Sequence, residues 1–378
     1  MRQDSPTQPQ ISSTMTELEP VSPATRRLCE LLVHWPRQVL TSWLMAQPAP
    51  AEVLLTPAHP PREQKRKKPW PHFDRLAIKK GPLRDQQMRI VSLVDSQYPQ
   101  ALTFIPDPPL VLFCLGELRI IEKTCVAMVG ARQSTTAGKA LAQTMATDLA
   151  GMDCCIVSGL AVGIDAAAHR GALDADNGAT AAVLGAGFEH LYPQEHRRLA
   201  QTILQRGGLL LSEYPPTVSP RPHQFPERNR LISGLATTTV LVEAGERSGS
   251  LITARLALEQ GREVCAVPGS PLNPVAAGCH RLIRQGAALV TCARDVCEEL
   301  GWQITVPQAK AASGPSVDGS GLSGSAARLM AVLSASALQF DEILALCDES
   351  AQQVSQDLIA LQLAGFVRQG PDGYIAVP

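Results

Sequence analysis

The residues of this chain best suited to chemistry sit in loops that directly follow short apolar runs. The first loop is Val129-Gly130-Ala131-Arg132-Gln133-Ser134-Thr135. Gly130 allows close approach to the backbone, Ser134 and Thr135 can cap a helix or hold a phosphate oxygen, and Arg132 supplies countercharge. The second is Ser158-Gly159-Leu160-Ala161-Val162-Gly163-Ile164-Asp165. A serine with two glycines can wrap backbone amides round an anion. Further along, Phe225-Pro226-Glu227-Arg228-Asn229-Arg230 sets two arginines at a helix start. Their guanidinium groups must meet either phosphate or carboxylates such as Glu213 and Glu243. Ser248-Gly249-Ser250 forms one more amide nest before a helix. Each of these turns also fits an ordinary strand–helix connection. The spacing G-x-G-x-x-G is absent, so no dinucleotide fingerprint is met. His169 follows Asp165 by four residues and shares its helix face. It reads as half of a structural hydrogen-bonded pair, because no nucleophile or metal partner accompanies it.

The elements that must carry these loops are legible as a pattern. Cys125–Val129, Cys155–Val157, Ala181–Leu184, Leu209–Leu211, Thr239–Val242 and Val264–Val267 are short and almost wholly apolar. Such runs suit strands buried on both faces of a parallel sheet. Helical stretches lie between them, among them Gly138–Ala150, Glu195–Gln205 and Ser250–Gln260. The alternation predicts a doubly wound α/β domain over residues 85–300. Ligands of such sheets sit beyond the carboxyl ends of the strands, which is where the glycine- and arginine-bearing loops fall.

The flanks have different physics. Residues 1–84 are rich in Pro, Gln, Ser and Thr and read as poorly ordered, with apolar residues gathered only between Leu28 and Met45 and broken by Pro36. Within them, residues 62–80 hold eight Lys/Arg against Glu63 and Asp74, a local net of +6. A tether for phosphates and a solvated linker both fit such a run. Residues 301–324 read as a Ser/Gly linker, and 325–378 as three helical stretches and a hairpin, a winged-helix-like unit. That unit sets two arginines against six acids, a local net of −4. A reader of duplex DNA is normally basic, so a protein-contact surface is the better expectation.

Over its 378 residues the chain has a net charge of −1, so a whole-chain basic signal is absent and any polyanion must be held locally. Its 45% hydrophobic content fits a globular core, and its 4% aromatic content leaves few rings for stacking. The ten cysteines form no C-x-x-C pair, which points to reduced thiols in a cytoplasmic protein and not to a disulfide framework or zinc site. No signal peptide or membrane span is expected.

The ordered motifs together resemble the DprA/Smf family. The resemblance rests on Ser158-Gly159-Leu160-Ala161-x-Gly163-Ile164-Asp165-x-x-Ala168-His169-x-Gly171-Ala172-Leu173, Ser212-Glu213-Tyr214-Pro215 and Phe225-Pro226-x-Arg228-Asn229-Arg230. Arg247-Ser248-Gly249-Ser250-Leu251-Ile252-Thr253-Ala254 and Ala266-Val267-Pro268-Gly269 complete it, within a match from about Tyr98 to about residue 295. The resemblance implies a Rossmann-like domain that binds single-stranded DNA without chemistry, metal or cofactor. It further implies a homodimer that loads the RecA recombinase and displaces single-strand-binding protein, in DNA uptake or homologous recombination. Carried over by position, Gly130, Arg132 and Ser134 would contact phosphate, and Ser158, Gly159 and Gly163 would line the same pocket. Arg228 and Arg230, with Ser248, Gly249 and Ser250, would complete a basic groove. The chain departs from the family in two places. Val162 stands where arginine is frequent, and the usual N-terminal helical domain is not evident in residues 1–84. The rival expectation is a nucleotide-cleaving or nucleotide-binding enzyme on the same fold, with Glu213 or Glu243 as acid or base.

Overall fold

The computed structural model describes residues 20–56, 71, 73, 76–302, 329–330, 332–333, 338–347, 350–363, 366–370 and 373–376. The chain divides into two compact units, Met1–Gln303 and Ile304–Pro378.

The larger unit is built on nine strands: β1 (Met88–Ser92), β2 (Val111–Gly116), β3 (Cys125–Val129), β4 (Cys155–Ser158), β5 (Ala179–Leu184), β6 (Leu209–Ser212), β7 (Thr238–Leu241), β8 (Glu263–Ala266) and β9 (Ala288–Leu289). Their order is β1-β2-β6-β5-β4-β3-β7-β8-β9. The seven strands from β6 to β9 are parallel, whereas β2 runs antiparallel to β6, and β1 to β2. The chain winds outward from β3 through β4 and β5 to β6. It then returns to lay β7 on the other side of β3, with Val126 opposite Thr238. That reversal is the switch point of a doubly wound sheet and opens a crevice at the carboxyl ends of the strands.

β3, β4 and β5 are buried at every position, which is why their sequences are continuous apolar runs and not alternating ones. Successive side chains still point to opposite faces. On β2, Leu112 and Cys114 enter one core while Phe113 and Leu115 enter the other.

Residues 20–56 correct the expectation of a poorly ordered N-terminal region. They form α1 (Pro23–His34), α2 (Arg37–Met45) and α3 (Pro50–Leu54). Ser22 caps α1 by accepting from the Thr25 amide at 3.1 Å, and Pro23 occupies the first turn, where a missing N–H costs nothing. Leu28, Leu31, Leu32, Leu40 and Leu44 are buried in one core with Ile90, Phe113 and Leu115. Their helical spacing is diluted by the polar residues around them, so composition hid it. Pro36 marks the break between α1 and α2. Residues 57–70, 72, 74 and 75, which hold most of the basic stretch, lie outside the described residues.

The remaining helices of this unit are α4 (Gln100–Thr103), α5 (Thr136–Gly151), α6 (Ile164–Asp174), α7 (Arg197–Gln205), α8 (Gln224–Leu235), α9 (Ser250–Glu259), α10 (Ala277–Arg284) and α11 (Ala293–Glu299). Among the described residues no helix is long and apolar enough to cross a membrane.

In the smaller unit, helices Phe340–Leu346 and Ala351–Leu363 precede a hairpin of β10 (Val367–Gly370) and β11 (Gly373–Ala376). Leu329, Leu333, Ile343, Val354, Leu358, Leu361 and Val367 form its core. The linker expected at 301–324 lies almost wholly outside the described residues.

Candidate nucleic-acid interface

The two loops expected to cradle an anion are held by the chain's own carboxylates. Glu243, just past β7, accepts from the Thr135 amide at 2.8 Å and from the Thr135 hydroxyl at 2.6 Å. The same hydroxyl caps α5 by accepting from the Gly138 amide at 2.9 Å. Glu243 therefore supplies the negative charge that a helix N-terminus favours. Asp165 does likewise in the second loop, accepting from the amides of Gly159 at 3.1 Å and Ala161 at 3.3 Å. Burial raises the pKa of Asp165, while Arg228 and the two amides pull it back down.

Tight backbone contacts interlock these loops. Leu160 and Gly163 both have positive φ, at 56° and 87°. A Cβ on Gly163 would come within 2.3 Å of the Ala131 carbonyl, so only glycine fits. The Ala131 amide in turn donates to the Glu243 carbonyl at 2.6 Å, and Gly130 lies against Ile164. The ring of His196 donates from Nδ1 to the Leu160 carbonyl at 2.8 Å, which holds the strained residue in place.

Beyond these loops opens a cleft of about 250 Å³. Arg228 lines it from below, 4% exposed, with Nη1 donating to the carbonyls of Gly159, at 2.9 Å, and Val183. A Cβ on Gly159 would lie 2.6 Å from an Arg228 Nη atom, so glycine at 159 makes room for the guanidinium. Burial lowers the pKa of Arg228 to about 10, against the opposing pull of Asp165, and the group stays charged at neutral pH. Arg132 is exposed at the rim, its Cζ 5.6 Å from the centroid of the Phe225 ring. That is a cation–π distance. Tyr192 packs on Phe225 with centroids 5.4 Å apart and planes inclined by 52°. The Tyr192–Pro193 peptide is cis. Val162 and Ala161 complete an apolar wall, and Glu195 closes one end. A cleft with two aromatic faces, an apolar wall and two guanidinium groups can hold a flat heterocycle beside a phosphate.

Of the residues singled out in the sequence, Arg132, Gly159 and Arg228 meet in this cleft, and Gly130 and Gly163 shape the loops behind it. The others serve elsewhere. The Ser158 hydroxyl is buried and donates to the Met128 carbonyl at 2.6 Å, tying β4 to β3. Ser134 does not line the cleft, and its Oγ is buried without a partner among the described residues. Arg230 is not part of a groove. It is buried in a two-pronged ion pair with Glu213, at 2.9 Å to each oxygen, and reaches Asp107 at 3.2 Å. Arg37 from α2 completes the network with Glu213 and with Asp107 at 2.6 Å. The internal ion pair that the sequence allowed for Arg230 is thus the one that forms. Ser248, Gly249 and Ser250 begin α9 away from the cleft lining, with the two serine hydroxyls 2.7 Å apart. His169 is structural, but its partner is Thr180 at 2.7 Å and not Asp165. Because Thr180 donates to the Ile156 carbonyl, the imidazole must donate from Nδ1. Tyr192, Phe225 and Glu195 were absent from the sequence-derived site. The local signal for Tyr192 and Phe225 was an aromatic followed by proline, which the low aromatic content of the whole chain obscured, and Glu195 carried no signal of its own. No group of three or more His, Cys, Asp or Glu among the described residues could hold a metal ion.

A mostly parallel, doubly wound sheet with this cleft at its carboxyl edge, joined to a winged-helix unit, defines a Rossmann-like α/β protein with a C-terminal winged helix. The chain belongs to the DprA/Smf family. The family described as DNA recombination-mediator protein A matches residues 89–301, and the DprA winged helix domain matches residues 311–373. Protein Smf of Escherichia coli is 40% identical over 279 residues, 74% of each chain. The DNA processing protein DprA of Bacillus subtilis is 43% identical over 218 residues, 57% of this chain and 73% of that one. Among solved structures, DprA from Streptococcus pneumoniae superposes with a TM-score of 0.53 at 43% identity, covering 56% of this chain and 73% of that one. DprA from Helicobacter pylori, described for its single-stranded DNA binding mode, gives 0.51 at 30% identity, covering 56% and 95%.

Proposed function

We propose that the cleft binds single-stranded DNA without sequence preference and without catalysing a reaction on it. The observation that carries this reading is the Arg132 guanidinium over the Phe225 ring, with Tyr192 packed alongside. A base stacked against these rings presents only its π-face, which every base possesses, while Arg132 reaches the adjoining phosphate. Bases in a duplex have both faces already stacked, so the cleft favours unpaired strands. The Helicobacter relative, whose description names single-stranded DNA binding, supports the same class of ligand.

The enzyme alternative finds little in the geometry. Glu213 is neutralised by Arg37 and Arg230, and Glu243 is committed to Thr135. Neither acid lines the cleft. The family resemblance extends the proposal to a cytoplasmic homodimer that loads RecA and displaces single-strand-binding protein, in transformation or homologous recombination. The acidic smaller unit fits contacts with protein better than with DNA.

Fluorescence anisotropy with matched single- and double-stranded oligonucleotides tests the core of this reading. Phe225→Ala is expected to weaken binding by about 1–3 kcal/mol, the worth of one base–aromatic stack. Arg132→Ala should weaken it for every sequence. Equal affinity for paired and unpaired strands at low salt would overturn the proposal.

A further inference from the structure

The base-binding cleft does not stand alone. A second cleft of about 450 Å³ lies on the other side of the turn that carries Glu195, and Glu195 lines both. Its walls come from Gln143 on α5, Arg170 and Asp174 one turn apart on α6, and Arg198 and Thr202 on α7. Two acids share the lining, Asp174, which accepts from Gln143 Nε2 at 2.6 Å, and Glu195, and neither is paired with an arginine of the cleft. His196 reaches the cleft from a buried position, with its Nδ1 committed to Leu160. The Thr202 hydroxyl is turned to the Arg198 carbonyl. Arg170 and Arg198 are exposed, and neither forms an ion pair with a described residue. By contrast, Arg228 and Arg230 are consumed internally, and Arg206 donates to the Leu173 carbonyl.

We propose that this second cleft is a phosphodiester subsite, which takes the backbone of the same strand as it leaves the base cleft. This rests on the single-stranded DNA reading given above. Arg170 and Arg198 clasp phosphates there, because neither is paired with Asp174 or Glu195, the two carboxylates that share the lining. Glu195 sets the register. A phosphate passing directly over its carboxylate is repelled, so the strand crosses at that point with a sugar or base edge. One phosphate is thereby left on the Arg132 side and the next ones on the Arg170 and Arg198 side.

The test uses the full chain and two oligothymidylates, one of about 4 and one of about 12 nucleotides, within the span of known single-strand sites. The double variant Arg170→Ala/Arg198→Ala is expected to bind the short oligomer as wild type does. With the long oligomer it should lose affinity, and its log–log salt slope should shrink by about 1.4, the release expected for two phosphates. Arg170→Lys/Arg198→Lys should restore the slope, which separates charge from any effect on folding. Arg132→Ala should weaken both oligomers. Unchanged affinity and slope for the alanine pair on the long oligomer would overturn the second subsite while leaving the first intact. Failure of the wild-type chain to bind either oligomer would overturn the parent reading, and this one with it.

Discussion

Arg228 and Arg230 sit two residues apart in the middle of α8, not at its start, and have separate fates. Arg230 turns into the Glu213–Asp107–Arg37 network, and Arg228 turns under the Gly159 loop. The sequence made both arginines candidates for phosphate and named Glu213 and Glu243 as competitors. It could not say where each carboxylate points, because that depends on strand order. Glu213→Gln removes the charge that Arg37 and Arg230 share and leaves two buried or half-buried cations facing Asp107 alone. Loss of about 3–5 kcal/mol is expected, the cost of breaking a buried pair from one side, and urea unfolding measures it. Gly159→Ala should displace the guanidinium of Arg228, costing about 1–3 kcal/mol of stability and weakening DNA binding in parallel.

His169 yields a pH dependence whose sign is fixed. Burial lowers its pKa from 6.5 to about 3, with His196, Arg228 and Arg170 acting in the same direction. The folded state therefore holds it neutral, while the unfolded chain takes up a proton below its ordinary pKa. The stabilisation is fully present above pH 6.5 and drains away as pH falls toward 3, by about 1.4 kcal/mol per unit. Between pH 7 and pH 5 the wild-type chain should lose more stability than His169→Gln, by about 2 kcal/mol. Parallel losses in the two proteins would count against it.

At the scale of elements, strands were far more legible than helices. β3, β4 and β5 are recognisable because a strand buried on both faces leaves a continuous apolar run. α1 and α2 were not, since Pro36 interrupts their short apolar patch and the sequence on either side of it is polar and rich in proline. The glycine-rich loops were located correctly and partly misread. An amide nest binds whichever anion is near, and here Glu243 and Asp165 arrive from within the fold. In the smaller unit, helix Ala351–Leu363 contains no Lys or Arg and exposes Gln352, Gln356 and Ile359. Such a face offers a duplex no phosphate contacts. A chain ending at Gln303 should keep its single-strand affinity within about twofold, given that free energies of binding rest on phosphate and stacking contacts it retains. A large loss in a filter or anisotropy assay would show that the winged helix holds DNA after all.

For the molecule as a whole, net charge is a poor guide to partner. A chain at −1 can hold a polyanion when free guanidinium groups gather at a cleft and acids such as Glu213, Glu243 and Asp165 are taken up by the chain's own arginines and amides. The salt dependence of binding should therefore be shallow, with each phosphate neutralised contributing a log–log slope of about 0.7.

The contact between Arg37 and Glu213 spans 176 residues of chain. Helix α2, which carries Arg37, leaves the ribosome long before β6 and the Glu213 that follows it exist. At about 5–20 residues per second, roughly 10–35 s of translation separates the two. Within that interval β1 and β2 can already cover the apolar face of α1 and α2, but Arg37 has only Asp107 to meet, so in a growing chain the ion network closes after the packing beneath it has begun.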